Sequence, residues 1–556
     1  MDFTGFYHEN KSRYAYAYDM QTLHIRLRTG LDAVEKINMA VFDHCEWHKN
    51  AAGVHELKDV QLVPMAIEQT SRYHDWWFAE APAPTKRVKY IFIVEKGGER
   101  YLYGPGGELP YGKNDGELTP FISKHSMLCY IFPYILAEDL FHAPKWAKET
   151  VWYQIFPSRY GEDLPGIIAQ LDDIKSLGCT GIYMTPIFTS PSVHKYNTED
   201  YFRIDPGFGD LTDFFKLVDE AHKRGIRIML DLVFNHIGST HPLWLDVVAK
   251  GKKSRYYDWF YVREDGSYET FATVKNMPKW NTENPEARNY LIDTALYWAH
   301  TIDGYRLDVA NECSHEFWRV FRKKVREVNP EIYIVGEVWH DSMSYLLGDQ
   351  FDTVMNYPLA TAIWKFVSGE TGGTELREDM ANCLVMYPRD RHEVMFNHIG
   401  NHDTKRILSL CKNRPERVKQ AFTLLLTAAG SPMIFYGDEV GITGEDHDDA
   451  RKPMIWDEAE RDNNLRDFVA KLISLRSVYP EMREVDITWI KAGDEGVIYT
   501  KGDLIVMLNP LDKPAKLPLP AGWAGRKAQD LLDDSVFTIG DTADMAPFGT
   551  LLWRLV

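Results

Sequence analysis

The chain has 556 residues, 45% of them hydrophobic and 26% charged, with a formal charge of −18. Single cores rarely grow beyond about 250–300 residues, so more than one domain is expected, and the apolar content excludes a disordered chain. The negative charge disfavours non-specific attraction to nucleic acid or to an anionic membrane, and no block of Lys and Arg overrides it.

The N-terminal twenty residues carry neither a basic n-region nor an apolar h-region, so no signal peptide is expected. No stretch approaches the roughly 18 apolar residues of a membrane span. The cysteines, Cys45, Cys129, Cys179, Cys313, Cys383 and Cys411, are scattered without CxxC spacing. That usage fits buried thiols in a reducing compartment and points to the cytoplasm.

Residues 1–125 read as all-β. Leu23, Ile25 and Leu27 alternate with His24, Arg26 and Arg28, the period of a strand with one buried face. A second strand runs from Tyr90 to Val94. Gly97 and Gly98 turn it towards Tyr101, Leu102 and Tyr103, which predicts a hairpin. An antiparallel sandwich is the expected product. Residues 126–147 read as a connector.

Residues 148–475 alternate short apolar strands with helices. The strands read as 151–156, 181–184, 226–232, 305–309, 332–335, 394–397 and 433–436. Between two of them Phe214, Phe215, Leu217, Val218 and Ala221 share a helical face that Gly225 ends. Repeated βα units suggest a closed parallel barrel, although a doubly wound sheet has the same alternation. An insertion at about 237–285 follows the third strand and predicts a lobe beside a cleft. Residues 476–556 return to β character, with 497–499 and 504–508 flanking a turn at Lys501, Gly502 and Asp503. A small C-terminal sandwich is expected.

Polar residues stand where the barrel strands end, which is where such barrels carry their active sites. Asp231, Asn235 and His236 follow the third strand, Arg306 and Asp308 the fourth, Glu337 and Trp339 the fifth, and Asn401, His402 and Asp403 the seventh. One such group is explained as a satisfied buried polar residue; four groups converging on one rim are not. Glycoside hydrolysis needs two carboxyl groups flanking the bond. One is protonated to serve the leaving oxygen, and in a retaining enzyme the other attacks carbon, the pair lying about 5–5.5 Å apart. Neighbouring strand ends supply Asp308 and Glu337. Arg306, two residues before Asp308 and on the same face, would keep Asp308 ionised and aimed. His236 and His402 have the nitrogen chemistry to bind sugar hydroxyls, whereas Asp231 and Asn235 read as braces of the loop ends.

These four segments resemble the four signature regions of the α-amylase family of glycoside hydrolases. The runs from Met184 to Phe188 and from Gly430 to Gly441 agree, in the same order. Within that family the chain is most similar to the neopullulanase, cyclomaltodextrinase and maltogenic amylase group. The markers are Val309-Ala310-Asn311-Glu312, the run from Met277 to Asn281, and His74-Asp75-Trp76-Trp77 with Lys86–Tyr90 near the N-terminus.

The resemblance implies a (β/α)8 TIM barrel with a lobe inserted after strand 3, flanked by N- and C-terminal antiparallel β-sandwiches. It implies a retaining enzyme acting on α-1,4-glucosidic bonds of cyclodextrins, maltooligosaccharides and pullulan. Asp308 matches the nucleophile, Glu337 the acid/base and Asp403 the carboxylate supporting the transition state. Arg306, His236 and His402 match residues around the cleaved sugar, and Tyr196 matches an aromatic beneath it. Glu312 and Trp339 match the leaving-group side; Arg451, with Asp446 or Asp448, matches a pair on the other side. A homodimer through the N-terminal domain is implied, and no cofactor.

Two departures stand out. Many relatives bind calcium through an Asn/Asp-rich loop after strand one, but here residues 156–160 lead almost at once into Gly161, Glu162 and Asp163, so no metal is expected there. Asn197 stands where the pattern predicts Asp. The rival readings are an α-glucosidase or transglycosylating member, against which Asn311 and Glu312 argue, and a non-catalytic glucan-binding protein, against which all three carboxylates argue.

Overall fold

The computed structural model describes residues 2–112 and 117–556. Contacts divide the chain into two compact units. One joins the N-terminal residues, up to His142, with Arg377–His392; the other comprises Ala143–Leu376 and Glu393–Val556.

In the first unit a four-stranded and a six-stranded antiparallel sheet enclose a core that includes Leu23, Ile25, Leu27, Met39, Val41 and Phe92. The expected hairpin forms between Val88–Lys96 and Glu99–Gly104. Gly97 and Gly98 take φ of 59° and 81°, the left-handed backbone that a tight hairpin turn requires. Tyr130–Phe132, inside the stretch read as a connector, pairs with Val88–Lys96.

One sequence expectation is corrected here. His24 and Arg26, assigned to a solvent-facing side, are buried at 3% and 0% exposure. The segment around 384–389 covers that face. Arg26 donates to the Tyr387 carbonyl at 2.6 Å and to Glu68 at 2.7 Å, and the Arg389 amide donates to Tyr16 Oη at 2.8 Å. Alternation records polarity, not access to water, and a guanidinium matched by a carboxylate and carbonyls tolerates burial.

The second unit is built on eight parallel strands. We number them β1 (Trp152–Ile155), β2 (Gly181–Met184), β3 (Arg227–Leu232), β4 (Gly304–Leu307), β5 (Tyr333–Gly336), β6 (Thr353–Val354), β7 (Phe396–His398) and β8 (Ser431–Phe435). Hydrogen bonds link them in the order β6-β5-β4-β3-β2-β1-β8-β7. The last seam is drawn together by a parallel bridge from Met355 to Phe396 and by the Asn356 amide on the Phe396 carbonyl at 2.9 Å. This is a barrel, not a doubly wound sheet. β6 has no counterpart among the strands read from sequence, because two residues carry no periodicity. β4 stops at Leu307, two residues short of expectation, because Val309 turns into a left-handed conformation.

Helices cover the barrel. In Leu211–Lys223, Asp210 accepts from the amides of Thr212 and Asp213, and the Asp213 side chain reaches back in a capping box. Phe214, Leu217, Val218 and Ala221 are buried, each large apolar side chain contributing about 1.5–3 kcal/mol. Phe215, placed on that face from sequence, is instead 46% exposed, since it sits a full residue step around the helix from Phe214. Gly225, at φ 71°, ends the helix as expected.

After β3 the chain leaves the barrel for a lobe containing the helix Pro242–Lys250 and returns at the helix Pro285–Ala299. Isolated bridges tie the lobe to the barrel rim, among them His236 to Lys279. Beyond the barrel, a six-stranded antiparallel sheet and the pair Ala515–Pro518 with Thr542–Met545 enclose a separate core around Ile498, Ile505, Met507 and Trp553. Gly502, at φ 57°, makes the turn between Gly496–Lys501 and Leu504–Leu508. Among the described residues no helix is long and apolar enough to cross a membrane.

Candidate active site

The C-terminal ends of the barrel strands open into a cleft of about 510 Å³. Its walls include Tyr196, His236, Asp308, Glu337, Trp339, Asp403 and Arg451. Seven of the ten residues singled out from sequence therefore share one cavity. Arg306 and His402 lie behind its wall, at 0% and 1% exposure.

Arg306, on β4, is the hub. Its Nη1 donates to Asp308 Oδ1 at 2.7 Å and to both oxygens of Asp231 at 3.1 and 3.0 Å. Its Nη2 lies 2.9 Å from Glu337 Oε2, at an angle outside hydrogen-bonding range. Asp308 and Glu337 are thus neighbours across a single guanidinium. The backbone reinforces this. The Val309 amide donates to Glu337 Oε2 at 2.8 Å, and the Ala310 amide to the Glu337 carbonyl at 3.2 Å. Val309 achieves this with φ 45° and ψ 44°, a strained conformation for a β-branched residue. Trp339 donates its indole N–H to Glu337 Oε1 at 3.0 Å, and its ring stacks on Tyr357 at 3.7 Å between centroids.

Burial pushes the Asp308 carboxyl above its ordinary range; Arg306 opposes this, while Glu337 and Asp231 reinforce it. Asp231, also fully buried, is raised to about 6 against the pull of Arg306. It is a brace, as the sequence suggested: besides Arg306 it accepts from Tyr183 Oη at 2.6 Å and Tyr196 Oη at 2.9 Å.

Asp403 is the more open carboxylate. Arg451 Nη2 meets its Oδ1 at 3.0 Å while Arg451 Nε donates to the His402 carbonyl at 2.8 Å. Asp448 lies 3.9 Å from Arg451, and Asp446 is engaged in capping the short helix His447–Ala450. The carboxylate beside Arg451 is therefore chiefly Asp403 rather than the sequence-adjacent acids. His402 Nε2 is 3.1 Å from Asp403 Oδ2 and 2.5 Å from Tyr196 Oη, and its ring is parallel to that of Tyr196. His236 stacks on Phe271 and its buried Nε2 makes no hydrogen bond of good geometry; burial lowers its pKa to about 3 against a backbone contact with Tyr196, so the ring is neutral. Glu312 is the outlying member: it pairs with Lys279 at 2.9 Å and is not among the cleft-lining residues.

Sequence reasoning missed several wall residues: Phe271 and His447 carry no local pattern, and Met277 stood only as part of a marker run without a place in the site. The Asn197 departure strands no cation. Its Oδ1 accepts from Ser190 Oγ at 2.8 Å and from Ser192 Oγ, while the nearby Lys195 pairs with Asp205 at 2.9 Å. In the short segment after β1, Asp163 caps the helix Leu164–Ala169 by accepting from the Gly166 amide. Among the described residues, metal-ligand spacing occurs at Asp43, His44 and Cys45 in the first unit, where Arg87 already grips both Asp43 oxygens.

Residues 147–484 match the family described as alpha amylase, catalytic domain, and residues 1–122 match alpha amylase, N-terminal ig-like domain. A cyclomaltodextrinase of Geobacillus thermopakistaniensis (strain MAS1) is 39% identical, over 99% of this chain and 98% of that protein. An intracellular maltogenic amylase of Bacillus subtilis (strain 168) is 39% identical, over 86% and 84%. Neopullulanase 2 of Thermoactinomyces vulgaris is 40% identical, over 84% and 83%. A solved cyclomaltodextrinase structure superposes with a TM-score of 0.91 at 35% identity, covering 100% of both chains.

Proposed function

The chain belongs to the α-amylase family of glycoside hydrolases, as a hydrolase of cyclomaltodextrinase, neopullulanase and maltogenic amylase type, and from that premise we propose how it works and on what. It cleaves α-1,4-glucosidic bonds of cyclodextrins, short maltooligosaccharides and pullulan by double displacement. The observation that carries this reading is Arg306, which holds Asp308 and Glu337 side by side at the cleft wall.

In the first step Glu337 gives its proton to the glycosidic oxygen as Asp308 attacks the anomeric carbon. The bond to the leaving sugar breaks and a β-linked glycosyl ester of Asp308 forms. In the second step Glu337 takes a proton from water, the water oxygen attacks the same carbon, and Asp308 leaves as the carboxylate. Two inversions give net retention.

Burial of Asp308 keeps bulk water from the ester, and Arg306 offsets the charge returned to its carboxylate. Asp403, steadied by Arg451, binds ring hydroxyls most tightly as positive charge develops on the sugar. His236 offers its Nε2 to a hydroxyl, Tyr196 stacks beneath the sugar ring, and Trp339 flanks the leaving group. The names of the relatives support cyclodextrin and pullulan as substrates, and the one named intracellular supports action in the cytoplasm. A homodimer through the N-terminal domain belongs to the same reading, and a single-chain mass by light scattering would refute it.

Asp308→Asn and Glu337→Gln are the test. Each should lower turnover of β-cyclodextrin by about 10²–10⁴-fold or more with the fold intact. Proton NMR of fresh product should show α-anomers; β-anomers, or near-normal turnover in either variant, would overturn the mechanism. Initial rates on β-cyclodextrin, pullulan, starch and sucrose separate this reading from an α-glucosidase.

A further inference from the structure

Gln154, on β1, is fully buried and does not line the cleft. Its carboxamide meets His402: Nε2 lies 2.7 Å from Nδ1 of the ring. The other side of that ring settles which nitrogen carries the proton. With the Tyr196 hydroxyl proton given to the Asp231 carboxylate, 2.9 Å away, its oxygen accepts at the contact with His402 Nε2. Asp403 Oδ2, beside the same nitrogen, also only accepts when ionised. Nε2 therefore bears the hydrogen.

Burial, with Arg306 and Arg451 nearby, drives the ring well below its ordinary pKa, so it is neutral and Nδ1 presents a lone pair. A lone pair needs a donor opposite. The Gln154 amide nitrogen supplies it, and does so while leaving its own Oε1 buried without a partner. An orphaned interior acceptor is unfavourable. The amide is thus oriented by what His402 needs, at the expense of its own hydrogen bonding.

We propose that Gln154 is a positioning residue for the glucosidase reaction: its amide fixes His402 as the Nε2–H tautomer, and through it the placement of Asp403 and Tyr196 around the sugar. The other tautomer would turn an Nε2 lone pair towards the Asp403 carboxylate and the Tyr196 hydroxyl, repelling the first and drawing the proton of the second away from Asp231. The charged and titratable groups facing His402 are Tyr196, Asp403, Arg306, Arg451, Glu337 and His194. Gln154 adds none to them, which is why a neutral amide can set the tautomer without charging the ring. The proposal rests on the hydrolytic reading of the cleft.

Two measurements test it. In the unaltered protein, ¹⁵N-labelled histidine side chains should report Nε2–H for His402, assigned by the signal lost in His402→Asn; an Nδ1–H signal overturns the proposal. Gln154→Leu removes the donor and should lower kcat on β-cyclodextrin by about tenfold, the worth of one hydrogen bond, with a smaller change in KM. Gln154→Glu places an acceptor against Nδ1 and lets the ring take a second proton. The pH profile of kcat/KM should then gain one ionisation between about pH 6 and 8, beyond those of the cleft carboxyls, that the parent and Gln154→Leu lack. A packing role would not move that profile. Parent-like kcat and pH dependence in both variants, at parental Tm, would overturn the proposal; if neither variant folds, the tautomer measured in the parent decides. An inactive parent would instead sink the hydrolytic reading and leave the tautomer result intact.

Discussion

Replacing Val309 with glycine and, separately, with alanine measures the strain stored beside Asp308. Val309 holds φ 45° and ψ 44°. For an L-residue this left-handed conformation costs roughly 1–2 kcal/mol, a cost that glycine escapes. Alanine keeps the cost and loses the half-buried isopropyl group. Glycine loses the same group and relieves the strain, against roughly 0.5–1 kcal/mol of additional chain entropy. Glycine should therefore be more stable than alanine here by up to about 1.5 kcal/mol, the reverse of their order in an ordinary helix or strand. In a domain of this size that difference is about 1–3 °C in the barrel transition, within reach of scanning calorimetry. Activity should move the other way. The strained turn aims the Val309 amide at Glu337 Oε2, so the freer glycine backbone should lower kcat severalfold even as stability recovers. An alanine variant as stable as the glycine variant would refute the claim that strain is held at this position.

Trp339→Phe keeps a ring to stack on Tyr357 but removes the indole N–H beside Glu337 Oε1; kcat should fall about tenfold with little change in Tm, and an unchanged kcat at saturating cyclodextrin would count against the contact. Six buried histidines make the fold acid-labile: burial lowers His8, His24 and His241 to about 4, and His236, His392 and His398 to about 3. Unfolded histidine takes its proton near 6.5, so the unfolded chain binds more protons between about pH 6.5 and 3, and stability falls as pH drops through that window. Each contributes about 2 kcal/mol of loss at pH 5, and urea midpoints that stay flat from pH 7 to 5 would contradict their neutral burial. Lys501→Met orphans the carbonyls of Thr427, Met482 and Glu484 and should cost about 3 kcal/mol. Burial lowers Lys501 to about 7, so the parent gains stability as pH rises from 7 towards 10, and the deficit of Lys501→Met should be larger at pH 9 than at pH 6.

The barrel was legible where an apolar run met a polar stop. β1 to β5 carry enough hydrophobic residues to stand out, and the polar groups past β3, β4, β5 and β7 fall at the rim because the barrel geometry puts every strand end there. β6 was not legible, since one bridge and two residues suffice once its neighbours are in place. Arg26 and Phe215 were misplaced for a common reason: pattern assigns a face to a side chain, while tertiary packing decides what covers that face. Arg451 shows the same limit. Of the acids beside it in sequence, Asp446 caps the helix His447–Ala450 and Asp448 stays 3.9 Å off, while a residue 48 positions away becomes its nearer partner at 3.0 Å. Gln154 did leave a trace, a lone amide in the middle of the apolar run 151–156, but its meaning depends on a histidine 248 positions later.

The charge count at the cleft wall explains how one site supplies both an acid and a nucleophile. Arg306 is a single cation facing three buried carboxyl groups, Asp231, Asp308 and Glu337, while Arg451 answers Asp403. His236 and His402, which would otherwise add positive charge, are kept neutral by burial. Three ionised carboxylates around one guanidinium in a desolvated pocket are costly: burial is the main cause raising Asp231 and Asp308, and for Asp308 the charges of Glu337 and Asp231 add to it. Burial of Asp308 therefore favours a proton held within the group, and the protons of such a cluster belong to the set rather than to one residue. Under the proposed reaction that proton sits on Glu337. Once it is there, the Glu337 share of what raises Asp308 is removed while the 2.7 Å contact from Arg306 remains, which favours the ionised Asp308 that attacks. The proton needed by the leaving group and the negative charge needed by the nucleophile are then two consequences of the same imbalance.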